Sequence, residues 1–315
     1  MDETHPMAKW TALDIPDQTG RTILITGANS GLGLRSAEAL SAKGATVLMA
    51  CRNEQKAAVA LESVKAAASG AEPEVVKLDL SDLASVRDTA AALNERLDSI
   101  DVLMNNAGIM AVPLARTVDG FESQMGTNHL GHFALTGLLL PTILAAPAPR
   151  VVNVSSTGHR MGRMDVNDLN FDHRRYTRWG AYGQTKLANL LFSAELQRQA
   201  LAADTSLVAV SAHPGYAATN LTAGPATGAP GFFAPVLSAA DGIFGQSDTM
   251  GALPQLYAAS MPDVLADDYW GPDTFFEQRG HPTRVGRTKA ARDKNTAKQL
   301  WDKSEELTGV TYSWS

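Results

Sequence analysis

Between Thr22 and Ala50 the chain reads as a strand, a glycine turn, a helix and a second strand, and few folds accommodate that order. Thr22-Ile23-Leu24-Ile25 is short, apolar and β-branched, the composition of a strand buried on both faces. Thr26-Gly27-Ala28-Asn29-Ser30-Gly31-Leu32-Gly33 follows at once, and an alanine- and leucine-rich stretch then carries a helical pattern to about Lys43. Gly44 ends it, and Ala45-Thr46-Val47-Leu48-Met49-Ala50 reads as the next strand. Glycines in such a turn let the backbone approach a pyrophosphate, while the helix N-terminus offers free N–H groups and the positive end of its dipole. The spacing is Gly-x-x-x-Gly-x-Gly rather than the Gly-x-Gly-x-x-Gly of other dinucleotide folds. Its strand–turn–helix setting is what gives the run its meaning.

A second feature carries chemistry. Tyr182 and Lys186 stand i and i+4, so they share one face of a helix and the ammonium can lie beside the phenol. A fixed cation stabilises a phenolate, and the expectation is a phenol held below its ordinary value near pH ~10. Such a tyrosine is a usable acid or base near neutrality. The same spacing also occurs as a plain helix-surface pair.

Taken together, these runs resemble the short-chain dehydrogenase/reductase family nearly end to end. The cofactor loop Thr-Gly-x-x-x-Gly-x-Gly is matched from Thr26 to Gly33, and Asn-Asn-Ala-Gly is matched by Asn105-Asn106-Ala107-Gly108. Asn128 matches an asparagine on the next helix, and Ser156 a serine ending the fifth strand. Tyr182 and Lys186 follow, then Pro214-Gly215 and Thr219 after the sixth strand. The resemblance implies a single α/β domain, a Rossmann-type doubly wound parallel sheet with helices on both faces. It implies Asn128, Ser156, Tyr182 and Lys186 as catalytic residues. It places the cofactor on Gly27, Asn29, Ser30, Gly31, Leu32 and Gly33, on Asn106, Ala107 and Gly108, on Tyr182 and Lys186, and on Pro214, Gly215 and Thr219. Asp79, with Leu80 beside it, resembles the family's adenine-contacting aspartate.

The end of the second strand bears on which nicotinamide cofactor binds. An acidic residue there would select NAD through the ribose hydroxyls; here the run is Ala50-Cys51-Arg52-Asn53. Arg52 offers a planar donor fork to a ribose 2′-phosphate and Asn53 a further hydrogen bond. NADP(H) is the cofactor expected. The mechanism that the resemblance implies has Tyr182 as proton donor in reduction and base in oxidation. Lys186 depresses the phenol pKa and holds the nicotinamide ribose, Ser156 donates to the substrate oxygen, and Asn128 anchors a water that links Lys186 to solvent. Ser155 is the adjacent alternative to Ser156; strand alternation points the two in opposite directions, so only one faces the cleft, and the resemblance favours Ser156.

The substrate side is enlarged. Between Ser156 and Tyr182 lie 25 residues, among them Arg160, Arg163, Arg174, Arg175 and Arg178. With Asn167 to Phe171 and Tyr182-Gly183-Gln184-Thr185-Lys186-Leu187-Ala188-Asn189, this spacer resembles the branch of retinol dehydrogenases and light-dependent protochlorophyllide reductases. That branch often carries a cysteine two or three places beyond the tyrosine; here Gln184 and Thr185 stand there, which weighs against the protochlorophyllide reading. The partner expected is a small lipophilic carbonyl or alcohol. A lid is expected at about 216–250, where Gly, Pro and Ala surround Phe232 and Phe233.

Residues 1–20 read as an N-terminal arm and 21–315 as one domain, ending in a helix at about 289–308 with Gly309 as its cap. That helix is expected at the sheet edge, and Trp270-Gly271-Pro272 as a turn into a last short strand. At 44% hydrophobic and 19% charged, the chain can bury a full core. A net charge of −6 argues against nucleic acid. No apolar run reaches the ~18 residues of an integral membrane segment, and the lone Cys51 fits a reducing compartment, so a cytoplasmic protein is expected. His129 and His132 are spaced i, i+3 but have no third ligand at a metal spacing, and no metal is expected. His159 reads as a surface loop residue or a substrate contact, His213 as a pocket or strand-end residue, and Asp165 to Asp168 as a turn. The apolar helices near 130–144 and 187–201 either pair in a homo-oligomer or are covered within the chain. A non-catalytic NADP(H)-binding sensor or scaffold protein is the alternative to an enzyme, and the intact Ser–Tyr–Lys set argues against it.

Overall fold

The computed structural model describes residues 9–215, 246–274 and 276–314. Residues 216–245 of the lid expected at about 216–250, with Thr219, and the first eight residues of the arm lie outside the described residues.

The first strand, β1 (Thr22–Thr26), leads into α1 (Gly31–Ser41), and β2 (Thr46–Cys51) lies beside β1 in parallel. Then come α2 (Glu54–Ala67), β3 (Glu74–Lys77), α3 (Leu83–Arg96) and β4 (Val102–Asn105). A longer helical run is built from α4 (Ser123–Met125), a π-turn over Gly126–Leu130, α5 (Gly131–Leu138) and α6 (Leu140–Leu144). β5 (Arg150–Val154), α7 (Arg178–Ala202), β6 (Val208–Ala212) and α8 (Asp248–Ser260) follow. The described chain closes with β7 (Tyr269–Thr274), β8 (Arg279–Arg284) and α9 (Lys294–Thr308).

The strands form one sheet in the order β3-β2-β1-β4-β5-β6-β7-β8, parallel throughout except for the antiparallel β8. This is the doubly wound α/β sheet, with apolar clusters on both faces. One cluster gathers Ile23, Ile25, Val47, Met49, Leu253 and Leu256 beneath α1 and α8; the other gathers Leu24, Leu48, Leu103, Phe133 and Leu196 beneath α3, α5 and α7. Alternate residues of β1 thus feed opposite clusters, as the two-residue period of a strand requires. Strand order reverses between β1 and β4, and a crevice opens at their carboxyl ends, where ligands bind in open α/β sheets.

Three expectations change. Trp270, Gly271 and Pro272 do not turn the chain: they lie inside β7, all three paired antiparallel to β8 and Trp270 also parallel to Ala212 of β6. The β7–β8 register shifts between Pro272 and Thr274, and such an irregularity is where a sheet tolerates a residue without an N–H. The last helix begins at Lys294, after a 3-10 turn at Ala290–Arg292, and ends at Gly309 in the left-handed region (φ 63°), whose N–H donates to the Glu305 carbonyl. It lies on α7 and α5 over a sheet face, not at the edge. Trp301 meets Phe133 edge-on at 5.0 Å, and Tyr312 stacks beside both and donates its hydroxyl to the Phe133 carbonyl at 2.7 Å. Trp301 and Tyr312 thus cover Phe133 of α5 and Phe192 of α7 from within the chain.

Candidate active site

The glycine turn is held open from beneath. Thr26 Oγ1 accepts the backbone N–H groups of Asn106 and Ala107, both at 3.0 Å, and Asn106 Nδ2 returns a bond to the Thr26 carbonyl at 2.8 Å. β1 and β4 are thus tied where their paths diverge. Gly27 takes φ +68°, and a Cβ on Gly33 would overlap the Gly27 carbonyl and come within 2.6 Å of Asn106 Nδ2. Only glycine serves at both positions without strain. Ser30, the N-cap of α1, makes no side-chain cap bond, so the first amides of the helix face the crevice.

A cleft of about 500 Å³ lies above this turn. It brings together Gly27, Asn29, Ser30, Gly31, Leu32 and Gly33 with Arg52, Asn53, Asp79 and Leu80, and with Asn106, Ala107 and Gly108. Asn53 Oδ1 accepts Lys56 N at 2.8 Å as the N-cap of α2, which commits the side-chain oxygen. Asp79 Oδ1 accepts from the Ser81 amide and hydroxyl. Asn106 is spent on Thr26 and on Gln255, whose Nε2 donates to it at 3.0 Å, and so faces the protein with its side chain. Lys56 also lines the cleft next to Arg52, a second cation that the sequence reading missed. Its place in the first turn of α2, three residues after the N-cap Asn53, was the available signal.

Gly108 joins the cleft to the second half of the site. A Cβ there would meet Asn128 Oδ1 at 3.2 Å and Lys186 Nζ at 3.6 Å. Asn128 sits in the π-turn, the kind of helix irregularity found at functional sites. Its Nδ2 donates to the Ile109 carbonyl (2.9 Å) and Thr185 Oγ1 (3.0 Å), and its Oδ1 accepts Ile109 N (2.8 Å). Lys186, buried in α7, donates to the Val154 carbonyl at 3.0 Å. Ser156 N-caps the 3-10 turn Thr157–Met161, its Oγ accepting Gly158 N at 3.0 Å, and it adjoins Tyr182, since a Cβ on Gly158 would meet Tyr182 Cε1 at 3.0 Å and Ser156 Oγ at 3.4 Å. Ser155, on the opposite side of the strand, donates to the Lys186 carbonyl at 2.8 Å.

Tyr182 and Lys186 differ electrostatically from what their spacing predicts. Burial pushes the phenol above its ordinary value, and the Ser156 hydrogen bond only partly offsets this. The ammonium lies 5.8 Å from the Tyr182 ring centroid, and burial pushes its own pKa down to about 8. Desolvation outweighs the cation because both groups are enclosed together.

Other predicted positions fall elsewhere. Pro214 and Gly215 follow β6 outside the lining of the cleft, where Gln246 Nε2 donates to the Pro214 carbonyl at 2.5 Å. His159 and His213 are each 1% exposed, so His159 is not a surface residue. Its Nδ1 meets the Ser156 carbonyl at 2.7 Å, and an aromatic contact with Tyr269 holds the ring in place. His129 bonds Ser304 Oγ at 2.9 Å, while His132 reaches Thr26 Oγ1 at 2.8 Å. Asp168 ends a 3-10 turn and anchors the enlarged spacer through Asp172 N, His173 N and Arg174.

A doubly wound sheet with a glycine turn at its switch point, joined to a buried Ser–Tyr–Lys group, defines a nucleotide-binding oxidoreductase of the α/β class. The chain belongs to the short-chain dehydrogenase family, whose model matches residues 21–227, and to its retinol dehydrogenase-like branch. It is 36% identical to human retinol dehydrogenase 13 over 92% of this chain and 85% of that protein. It is likewise 36% identical to mouse retinol dehydrogenase 12, over 96% and 90%. An uncharacterised protein from Mycobacterium paratuberculosis shares 47% identity, with a TM-score of 0.81 over 97% of this chain and all (100%) of that one. Membership makes the protein an oxidoreductase of alcohol and carbonyl groups that uses a nicotinamide dinucleotide. Among the described residues no helix is long and apolar enough to cross a membrane.

Proposed function

We propose that the protein is an NADP(H)-dependent oxidoreductase that interconverts a carbonyl and an alcohol on a small lipophilic substrate, with Tyr182 as proton donor and acceptor. The observation that carries this reading is the grouping of Ser156 with Tyr182 at Gly158, with Lys186 Nζ 5.8 Å from the Tyr182 ring centroid and beside Gly108 of the glycine-lined cleft. The cleft suits a dinucleotide: unpartnered helix amides and a close-packed glycine pair stand where a pyrophosphate would lie. Arg52 and Lys56 at its rim favour a 2′-phosphate, and no carboxylate stands at the end of β2.

The nicotinamide supplies or accepts the hydride when bound. In reduction Tyr182 gives its proton to the substrate oxygen, and in oxidation it takes the proton from the hydroxyl. The Gly158 amide occupies a lone pair of Ser156 Oγ and so orients the hydroxyl, which keeps its proton and donates a hydrogen bond to the same oxygen as charge develops there. Lys186 holds the ribose hydroxyls with the N–H groups not spent on Val154. Asn128 would hold a water by a remaining oxygen lone pair, since its amide is committed to Ile109 and Thr185. Lipophilic substrates fit the relatives' name, retinol dehydrogenase, and the half-exposed Trp179, edge-on to Tyr182 at 6.1 Å. A cytoplasmic location belongs to the same reading, supported by the single, buried, unpaired Cys51.

The test is NADPH oxidation against lipophilic aldehydes, ketones and quinones, with Tyr182→Phe alongside. Turnover in the native protein and a loss of at least about 10²-fold in the variant is the expected result. Binding of NADPH with no turnover on any of them would favour a non-catalytic NADP(H) binder.

A further inference from the structure

The turn that begins at Ser156 and the turn that ends at Gly215 leave neighbouring strands, and one carboxylate spans them. Glu277, at the tip of the β7–β8 hairpin, pairs with Arg160 of the Thr157–Met161 turn at 2.7 Å. The same Glu277 oxygen lies 3.3 Å from His213 Nε2. His213 Nδ1 accepts the Gly215 amide at 3.1 Å, which leaves the proton on Nε2, facing the carboxylate. The hairpin tip also closes on Gly215 through its backbone: a Cβ there would overlap the Gln278 carbonyl oxygen. The tyrosine ring of Tyr269 lies between the two histidines, 5.7 Å from His159 and 5.1 Å from His213. His159 in turn bonds the Ser156 carbonyl.

This tip is built under strain. Phe276 and Glu277 take φ +55° and +61°, a left-handed region that non-glycine residues adopt only at a cost. A hairpin that only turned the chain would place glycine or asparagine there. The strained pair instead aims a carboxylate at two elements.

We propose that Glu277 is a positioning residue that sets the distance between the Ser156 turn and the Pro214-Gly215 turn, and so between substrate oxygen and hydride donor. This rests on the reading above, in which Ser156 meets the substrate, and on the family resemblance, which puts the cofactor against Pro214-Gly215 although these two residues lie outside the lining of the cleft. The carboxylate acts through Arg160 on one side and His213 on the other, and touches no reacting atom. Misplacement of reacting groups by about 1 Å costs as much as 10²-fold in rate, so the effect falls on the chemical step.

The experiment compares Glu277→Ala, Glu277→Gln and Glu277→Asp with the native protein, using NADPH and its 4-deuterated form. For Glu277→Ala the expected result is a kcat lower by about ten- to a hundredfold. The substrate KM and the NADPH Kd stay within about threefold, and the primary isotope effect on kcat rises as hydride transfer becomes limiting. Glu277→Asp restores more of kcat than Glu277→Gln. Native kcat and isotope effect in Glu277→Ala, or a loss confined to KM, would overturn the proposal. Deuterium exchange gives a readout independent of turnover: amides 156–162 and 213–215 exchange faster in Glu277→Ala, and unchanged exchange in both segments overturns the bracing. Tyr182→Phe, run in parallel, separates the two failures. If it keeps native turnover, the reading of the site falls; if it alone is inactive while Glu277→Ala is native-like, only the positioning role falls.

Discussion

His132 Nε2 lies 2.8 Å from Thr26 Oγ1, and the rest of the network decides who donates. The hydroxyl oxygen already accepts two amides, from Asn106 and Ala107, so its own proton goes to the imidazole. Nε2 is then the acceptor, and Nδ1–H donates to the Asn128 carbonyl at 3.1 Å. One buried neutral ring thereby couples the glycine turn to the helix that carries Asn128.

Replacing that ring loosens both. His132→Leu is expected to cost about 1–3 kcal/mol by leaving the Thr26 hydroxyl and Asn128 carbonyl without their partner. Urea unfolding measures this, and fluorescence titration checks the accompanying fall in NADPH affinity.

The same burial makes stability depend on pH. His129 and His132 are pushed down to about 3 and about 4, chiefly by desolvation. Between those values and the ordinary 6.5 the unfolded chain binds more protons, so stability is lost as pH falls through that window. The expected loss is about 2 kcal/mol per histidine between pH 6.5 and 5. Urea midpoints across that range report it, and a His129→Gln/His132→Gln protein should show a flatter slope.

Arg52 and Lys56 give a test of cofactor choice. Loss of charge-assisted bonds to a 2′-phosphate, worth about 1.5–3 kcal/mol, predicts a ten- to hundredfold rise in NADPH Kd for Arg52→Ala. NADH binding should move little. A parallel loss for both cofactors would place Arg52 elsewhere on the dinucleotide.

The cover over α5 and α7 predicts a different response. Trp301→Ala removes a ring packed against Phe133, Phe192 and Tyr312 and should cost about 3–5 kcal/mol. Thermal unfolding measures the loss. Light scattering on a chain ending at Asp293 should show association through the uncovered face.

What the sequence made legible was local. The glycine turn, the strand runs and the Tyr182–Lys186 spacing each lie within a few residues, and periodicity and turn chemistry act at that range. Trp270-Gly271-Pro272 misled because a turn signal and a bulged strand next to the sheet edge share the same residues. The sign at Tyr182 depends on enclosure, which spacing does not carry. The Glu277 bridge spans 117 positions to Arg160, and the His132–Thr26 contact spans 106. No short motif encodes either. That Trp301 and Tyr312 pack on the apolar α5 could not be read from that helix, because both residues lie far along the sequence.

That last contact also bears on how the protein is made. Tyr312 follows the Phe133 carbonyl that it caps by 179 positions. At about 5–20 residues per second, a ribosome needs roughly ten to forty seconds to span that gap. Over that interval the emerging sheet carries an oily flank with nothing to close it. Biosynthetic yield should therefore depend on chaperone supply and translation speed more than the finished protein's stability would suggest.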